Sequence, residues 1–167
     1  MVDRLPQDRL QPALLDRLTD DEPARRQEGP FVLNKARLRQ AVLRDLTWLF
    51  NATQNAGPDD WPGYSEALRS VVNFGLPALA GSTASSLDVV DLERSIREAI
   101  LDFEPRILPS SLSIEAVLSD QQMDHHNQLS VQIRGLLWAQ PVPLELLLHT
   151  DLDLETGEVK ITDVGNP

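Results

Sequence analysis

The chain changes its hydrophobic period once, at Pro105, and that switch limits what it can fold into. Upstream, Val89, Leu92, Ile96, Ala99, Ile100 and Phe103 recur with helical spacing. Downstream the period is two. Leu112, Ile114, Ala116 and Leu118 alternate with polar residues, apart from Val117. Leu129, Val131 and Ile133 do the same, as do Leu144, Leu146 and Leu148. Val159 and Ile161 make a short last strand after the turn "LETGE". Strands with one apolar face form an antiparallel sheet covered on one side. The cover is two helices. One runs from about Leu87 to Phe103, with Ser86 as its cap. The other starts at a capping Asn34, ends near Thr53 and carries the stripe Leu38, Val42, Leu46 and Leu49, flanked by Leu43 and Phe50. The expected fold is α+β: two main amphipathic helices packed on one face of an antiparallel sheet of three to four strands.

An extended N-terminal tail precedes this domain. Residues 1–30 hold Pro6, Pro12, Pro23 and Pro30 and the acidic run Asp20-Asp21-Glu22. Residues 31–167 form the single α+β domain. Within the tail, "PALLDRLTD" is an island of short helix, with Leu14, Leu15 and Leu18 on one side. It is too short to be stable alone. It either packs on its own domain or folds onto a partner. The first long helix poses a similar choice. Its nominally polar side carries Arg37, Arg44 and Trp48, residue types enriched among interface anchors. Either the helix is sandwiched and Trp48 is buried within the chain, or this side meets a partner. Between the helices, "NAGPDDWPGYSEALRS" reads as a loop and "VVNFGLPALAGS" as irregular packed structure.

Composition excludes several classes of function. The net charge of -11 argues against nucleic acid and against a polybasic membrane anchor. The lack of cysteine removes disulfides, thiol catalysis and cysteine-based metal centres. "MVDRLPQDRLQP" is no signal peptide, and no apolar run suits direct membrane insertion. A cytoplasmic protein is expected. "DHH" at Asp124–His126 reads as a polar turn. "HTDLDLETGEV" has the alternate acids of a calcium loop, but Gly157 comes one place late and Thr162 stands where the twelfth-position Glu should be. We expect no metal and no cofactor.

The chemistry that remains is in "FEPRI". Pro105 should end the second helix at Glu104. Glu104 and Asp102 then stand where the helix macrodipole disfavours negative charge. Arg106 follows at once. Either Glu104 and Arg106 form an internal pair that closes the helix end, or the rigid proline presents both to a partner. At an exposed helix exit such a pair contributes little, so Glu104→Ala and Arg106→Ala should fold nearly normally and lose assembly instead. A catalytic carboxylate pair is the alternative, but nothing in the sequence marks a cleft.

The ordered segments "PALLDRLTDDEP", "LRDLTWLFNATQ", "WPGYSEALRSVVNFGLPALAG", "IREAILDFEPRI", "VQIRGLL" and "DLDLETGEVKI" resemble the TssE family of type VI secretion baseplate components. That family is related to the phage-tail baseplate wedge protein once labelled a lysozyme. The likeness implies a non-enzymatic role. Glu104, Pro105 and Arg106 would contact a wedge core built from TssF and TssG, with TssK as a further wedge neighbour. The sheet would help start the contractile sheath of TssB and TssC by strand exchange. The alternative function is a carboxylate-dependent peptidoglycan hydrolase.

Overall fold

The computed structural model describes residues 13–18, 35–57, 59–79, 88–117, 128–139 and 142–165. Four α-helices are seen among them: α1 (Leu14–Leu18), α2 (Lys35–Phe50), α3 (Ser65–Leu68) and α4 (Val89–Phe103). The strands are β1 (Ser113–Val117), β2 (Gln128–Leu137), β3 (Leu144–Asp153) and β4 (Val159–Asp163). They form an antiparallel meander in the order β1-β2-β3-β4. The expected α+β class and sheet are therefore observed.

The stripe on α2 is buried as expected, at Leu38, Val42, Leu46 and Leu49, and Ala41 and Phe50 join it. On α4 the buried residues are Leu92, Ile96, Ala99 and Ile100. Both helices share one core with Leu129, Val131 and Ile133 of β2 and Leu146, Leu148 and Leu152 of β3. Helix α4 is capped by Asp88, whose carboxylate accepts from the backbone N–H groups of Val90 and Asp91 at 2.9 and 3.3 Å. The expected caps Ser86 and Asn34 lie outside the described residues, as do Leu118 and the "DHH" turn. Helix α2 stops at Phe50, three residues short of Thr53, because the chain there turns to join the "NFGLP" segment.

That junction explains the irregular stretch. Asn73 is buried, and its Oδ1 accepts from the N–H of Asn55 and Ala56, each at 2.9 Å. Its Nδ2 donates to the carbonyls of Ala56 and Leu68. Thr53 and Leu76 form a parallel bridge, with Leu76 N–H donating to Ala52 O and Gln54 N–H to Leu76 O. Gly75, between them, has φ +135°, and a Cβ there would overlap the Ala52 carbonyl. The near-calcium loop is a hairpin turn. Asp153 Oδ1 accepts from the N–H of Glu155 and Thr156, and Gly157 takes φ +76°. Those two N–H groups, Thr156 first, hold the Asp153 carboxyl below its ordinary range. The described residues contain no cluster able to hold a metal. No helix among them is long and apolar enough to cross a membrane.

Both sheet edges are stopped by side chains at one point each. On β1, Ala116 N–H donates to Glu93 Oε1 of α4 at 2.7 Å. On β4, the Asn51 amide donates to Val159 O and accepts from Val159 N–H, at 2.9 and 3.0 Å, as a neighbouring strand would.

Candidate partner interface

Helix α4 delivers Phe103 into an edge-on contact with Phe74, ring centroids 5.1 Å apart. The chain then leaves the helix at Glu104, whose N–H still reaches Ile100 O at 2.8 Å. Pro105 cannot continue the helix. A tight turn follows, in which Ile107 N–H donates to Glu104 O. This turn folds Arg106 back over the Glu104 carboxylate. Arg106 donates from its backbone N–H and from Nε to Glu104 Oε1, at 3.1 and 2.6 Å, and from Nη2 to Oε2. The fork of the guanidinium thus matches both carboxylate oxygens.

Glu104 is only 3% exposed. This corrects the expectation of an exposed pair at a helix exit. Carboxylates reach such burial only when paired, and here the neighbouring residue supplies the pair. The internal reading of the Glu-Pro-Arg triplet therefore holds in the free chain. Arg106 stays partly open and makes a second bond, from Nη2 to Asp45 Oδ2 at 2.6 Å. Burial works against its charge. The hydrogen bond and charge of Glu104, then those of Asp45, outweigh that cost and raise its pKa above the ordinary arginine value.

Asp45 links the triplet to α2. Arg44 Nε donates to Asp45 Oδ1 at 2.9 Å, and Arg44 Nη1 donates to Asp16 Oδ1 on α1. The guanidinium of Arg44 also lies 5.1 Å from the ring centre of Trp48. Five charged groups therefore alternate in sign: Glu104, Arg106, Asp45, Arg44 and Asp16. Trp48 is 52% exposed, so the sandwiched alternative for α2 does not hold. Arg37 lies on the exposed side of α2, two turns before Arg44.

The structure thus brings together Glu104, Pro105, Arg106, Arg44 and Trp48, and connects them to α1. In α1 Asp16 faces the domain. Leu14 and Leu18 are 68% and 75% exposed, and Leu15 is also exposed. The helix is formed in the chain and tied to its own domain, the first of the two alternatives left open by the sequence. Sequence reasoning missed Asp45 and Asp16, since neither has periodic neighbours to mark it. It also missed Trp138. That tryptophan is half exposed, and its backbone N–H donates to Arg106 O at 2.7 Å. A lone aromatic at the end of an alternating strand is the one signal that could have marked it.

A family model described as baseplate wedge protein gp25 matches residues 36–142, more than half of the chain. The chain belongs to that family. The match to the gp25 family spans α2, α4, the Glu-Pro-Arg triplet, β1 and β2. No curated protein and no solved structure matches the chain. Of the five linked charges, four fall inside the gp25-matched region, and Asp16 lies before it.

Proposed function

We propose that the chain is a non-enzymatic structural component of a type VI secretion baseplate wedge, of the TssE kind. The observation that carries this reading is the gp25 family match across the helices and the triplet. Glu104, Pro105 and Arg106 form one half of the wedge-core contact. Arg37, Arg44 and Trp48 on α2, with Leu14, Leu15 and Leu18 on α1, form the other. The partners are TssF and TssG, with TssK as a further neighbour. In this reading the buried Glu104 does not touch the partner itself. It fixes Arg106, whose remaining exposed guanidinium edge does. Half-exposed tryptophan beside arginine is the composition of an interface hot spot.

The sheet helps start the sheath of TssB and TssC by accepting a strand. Support comes from the order of the strands, which leaves β1 and β4 as the two edges. The protein works in the cytoplasm as residues 31–167 folded into one domain behind a 1–30 tail.

Against the hydrolase alternative, Glu104 is buried and both its carboxylate oxygens are taken up by Arg106, which leaves neither facing a substrate. A small hollow at the α2 exit, between Phe50–Thr53 and Leu76–Leu79, is lined by no carboxylate among the described residues. The experiment is co-expression with TssF and TssG, scored by co-elution, beside an assay on cell-wall substrate. Co-elution without turnover is expected. Turnover abolished by Glu104→Gln would overturn the structural role.

A further inference from the structure

Helix α1 is docked with the wrong side outward for a helix held by its own core. Leu14 and Leu18 are largely exposed, and Asp16 ties the helix to Arg44 of the domain. That hold is poorly made. Asp16 gives Arg44 one oxygen, and its other oxygen, Oδ2, is buried without a hydrogen-bond partner. An unpaired buried carboxylate oxygen costs free energy. Arg44, for its part, is a planar fork suited to a bidentate carboxylate. It receives a single oxygen from Asp16 and a single oxygen from Asp45. Its place beside half-exposed Trp48 is one that a better ligand could take.

We propose that Asp16 is a place-holder: in the free chain it occupies Arg44 where a partner carboxylate sits in the assembled wedge, so that α1 must release Arg44 before the Arg44–Trp48 face is used. This rests on the partner-binding reading of that face and adds its regulation. The occupant is a partner helix with an exposed acid and an adjacent apolar residue. The acid meets Arg44 with both oxygens, and the apolar residue meets the Trp48 ring. Charge complementarity decides for an acid. Within the matched region Glu104, Arg106, Asp45 and Arg44 balance to zero, and Asp16 supplies one further negative charge to Arg44 that a partner acid can replace. Released α1 then has Leu14 and Leu18 available to the same partner.

The test uses the full chain. In the free protein, amide exchange over residues 14–18 is compared between the wild type and Asp16→Asn. Loss of protection in the variant is expected, and unchanged protection would overturn the inference. Affinity for co-purified TssF–TssG is then measured for both proteins and for Arg44→Gln. Asp16→Asn should bind about two- to five-fold more tightly, because a partly exposed ion pair no longer competes. Arg44→Gln should bind about ten-fold more weakly or worse. Asp16→Asn binding as tightly as wild type, or more weakly, overturns the place-holder. Arg44→Gln binding as well as wild type overturns it too, since the face is then unused. A wild type that fails to bind TssF–TssG at all instead overturns the partner reading on which the inference rests.

Discussion

Glu104 behaves as a structural anchor. Its side chain is buried and carries three hydrogen bonds from Arg106. Removing one member of a buried pair strands the other, at a cost of about 3–5 kcal/mol. Arg106 keeps Asp45 and some solvent, so Glu104→Ala belongs at the low end, about 3 kcal/mol. For a chain of this size that lowers Tm by roughly 6–12 °C, readable by calorimetry. A change within a degree or two would mean that the pair is not formed in solution. Thr150 makes the opposite case. It is wholly buried in β3, opposite Val131 and Ile161, and its hydroxyl has no partner. Thr150→Val keeps the shape and removes the stranded group, so stability should rise by about 1 kcal/mol. A destabilised valine variant in chemical denaturation would show that the hydroxyl is satisfied after all.

At the scale of elements, the strands were plain in the sequence because each has one buried face, and a period of two survives any error in its ends. The stripes on α2 and α4 were plain for the same reason. What stayed hidden are contacts with no period. Asp45 meets Arg106 across 61 positions, and nothing local announces that meeting. The triplet was visible, but its burial was not, because burial depends on how Pro105 turns Arg106 back over Glu104. Helix α1 was half legible. Its helical spacing showed, while its inverted docking depends on Asp16 and Arg44, which lie 28 positions apart. That docking should depend on pH. The Arg44 hydrogen bond, working against burial, lowers the Asp16 pKa from its ordinary 3.8. A lowered carboxyl pKa stabilises the docked form fully above the ordinary value, and the contribution is lost as pH falls through the lowered one. Amide protection over 14–18 should therefore hold above the ordinary carboxyl value of 3.8 and fall away as the pH drops below it, before the β2–β3 core opens. Protection that rises on acidification would contradict the pair.

For the whole molecule, assembly and folding have to be separated, because the triplet proposed for binding also holds part of the fold. Arg106→Ala would leave Glu104 buried and unpaired, so it cannot report on binding alone. Arg106→Lys keeps the charge beside Glu104 and loses the planar fork that also reaches Asp45. We expect its melting temperature to fall by a few degrees and its co-elution with TssF and TssG to fall by about ten-fold or more. Intact co-elution by the folded lysine variant would make the triplet a brace and nothing else. The sheet gives a second test at this scale. Asn51→Ala removes the amide that sits against Val159 on the β4 edge. Light scattering should then show self-association at concentrations where the wild type stays monomeric.

The two edge stoppers have a consequence for growth. A sheet with bare edges can add copies of itself without limit, as a fibre does. Here a carboxylate, Glu93, meets one edge and an amide, Asn51, meets the other, and both are side chains rather than backbone. Copies of the chain, whose own edges are stopped in the same way, have little to offer in exchange. A strand of a different protein, carrying free N–H and C=O groups, has more. In the proposed sheath role, the same device that disfavours pairing between copies would leave the edge to another protein's strand.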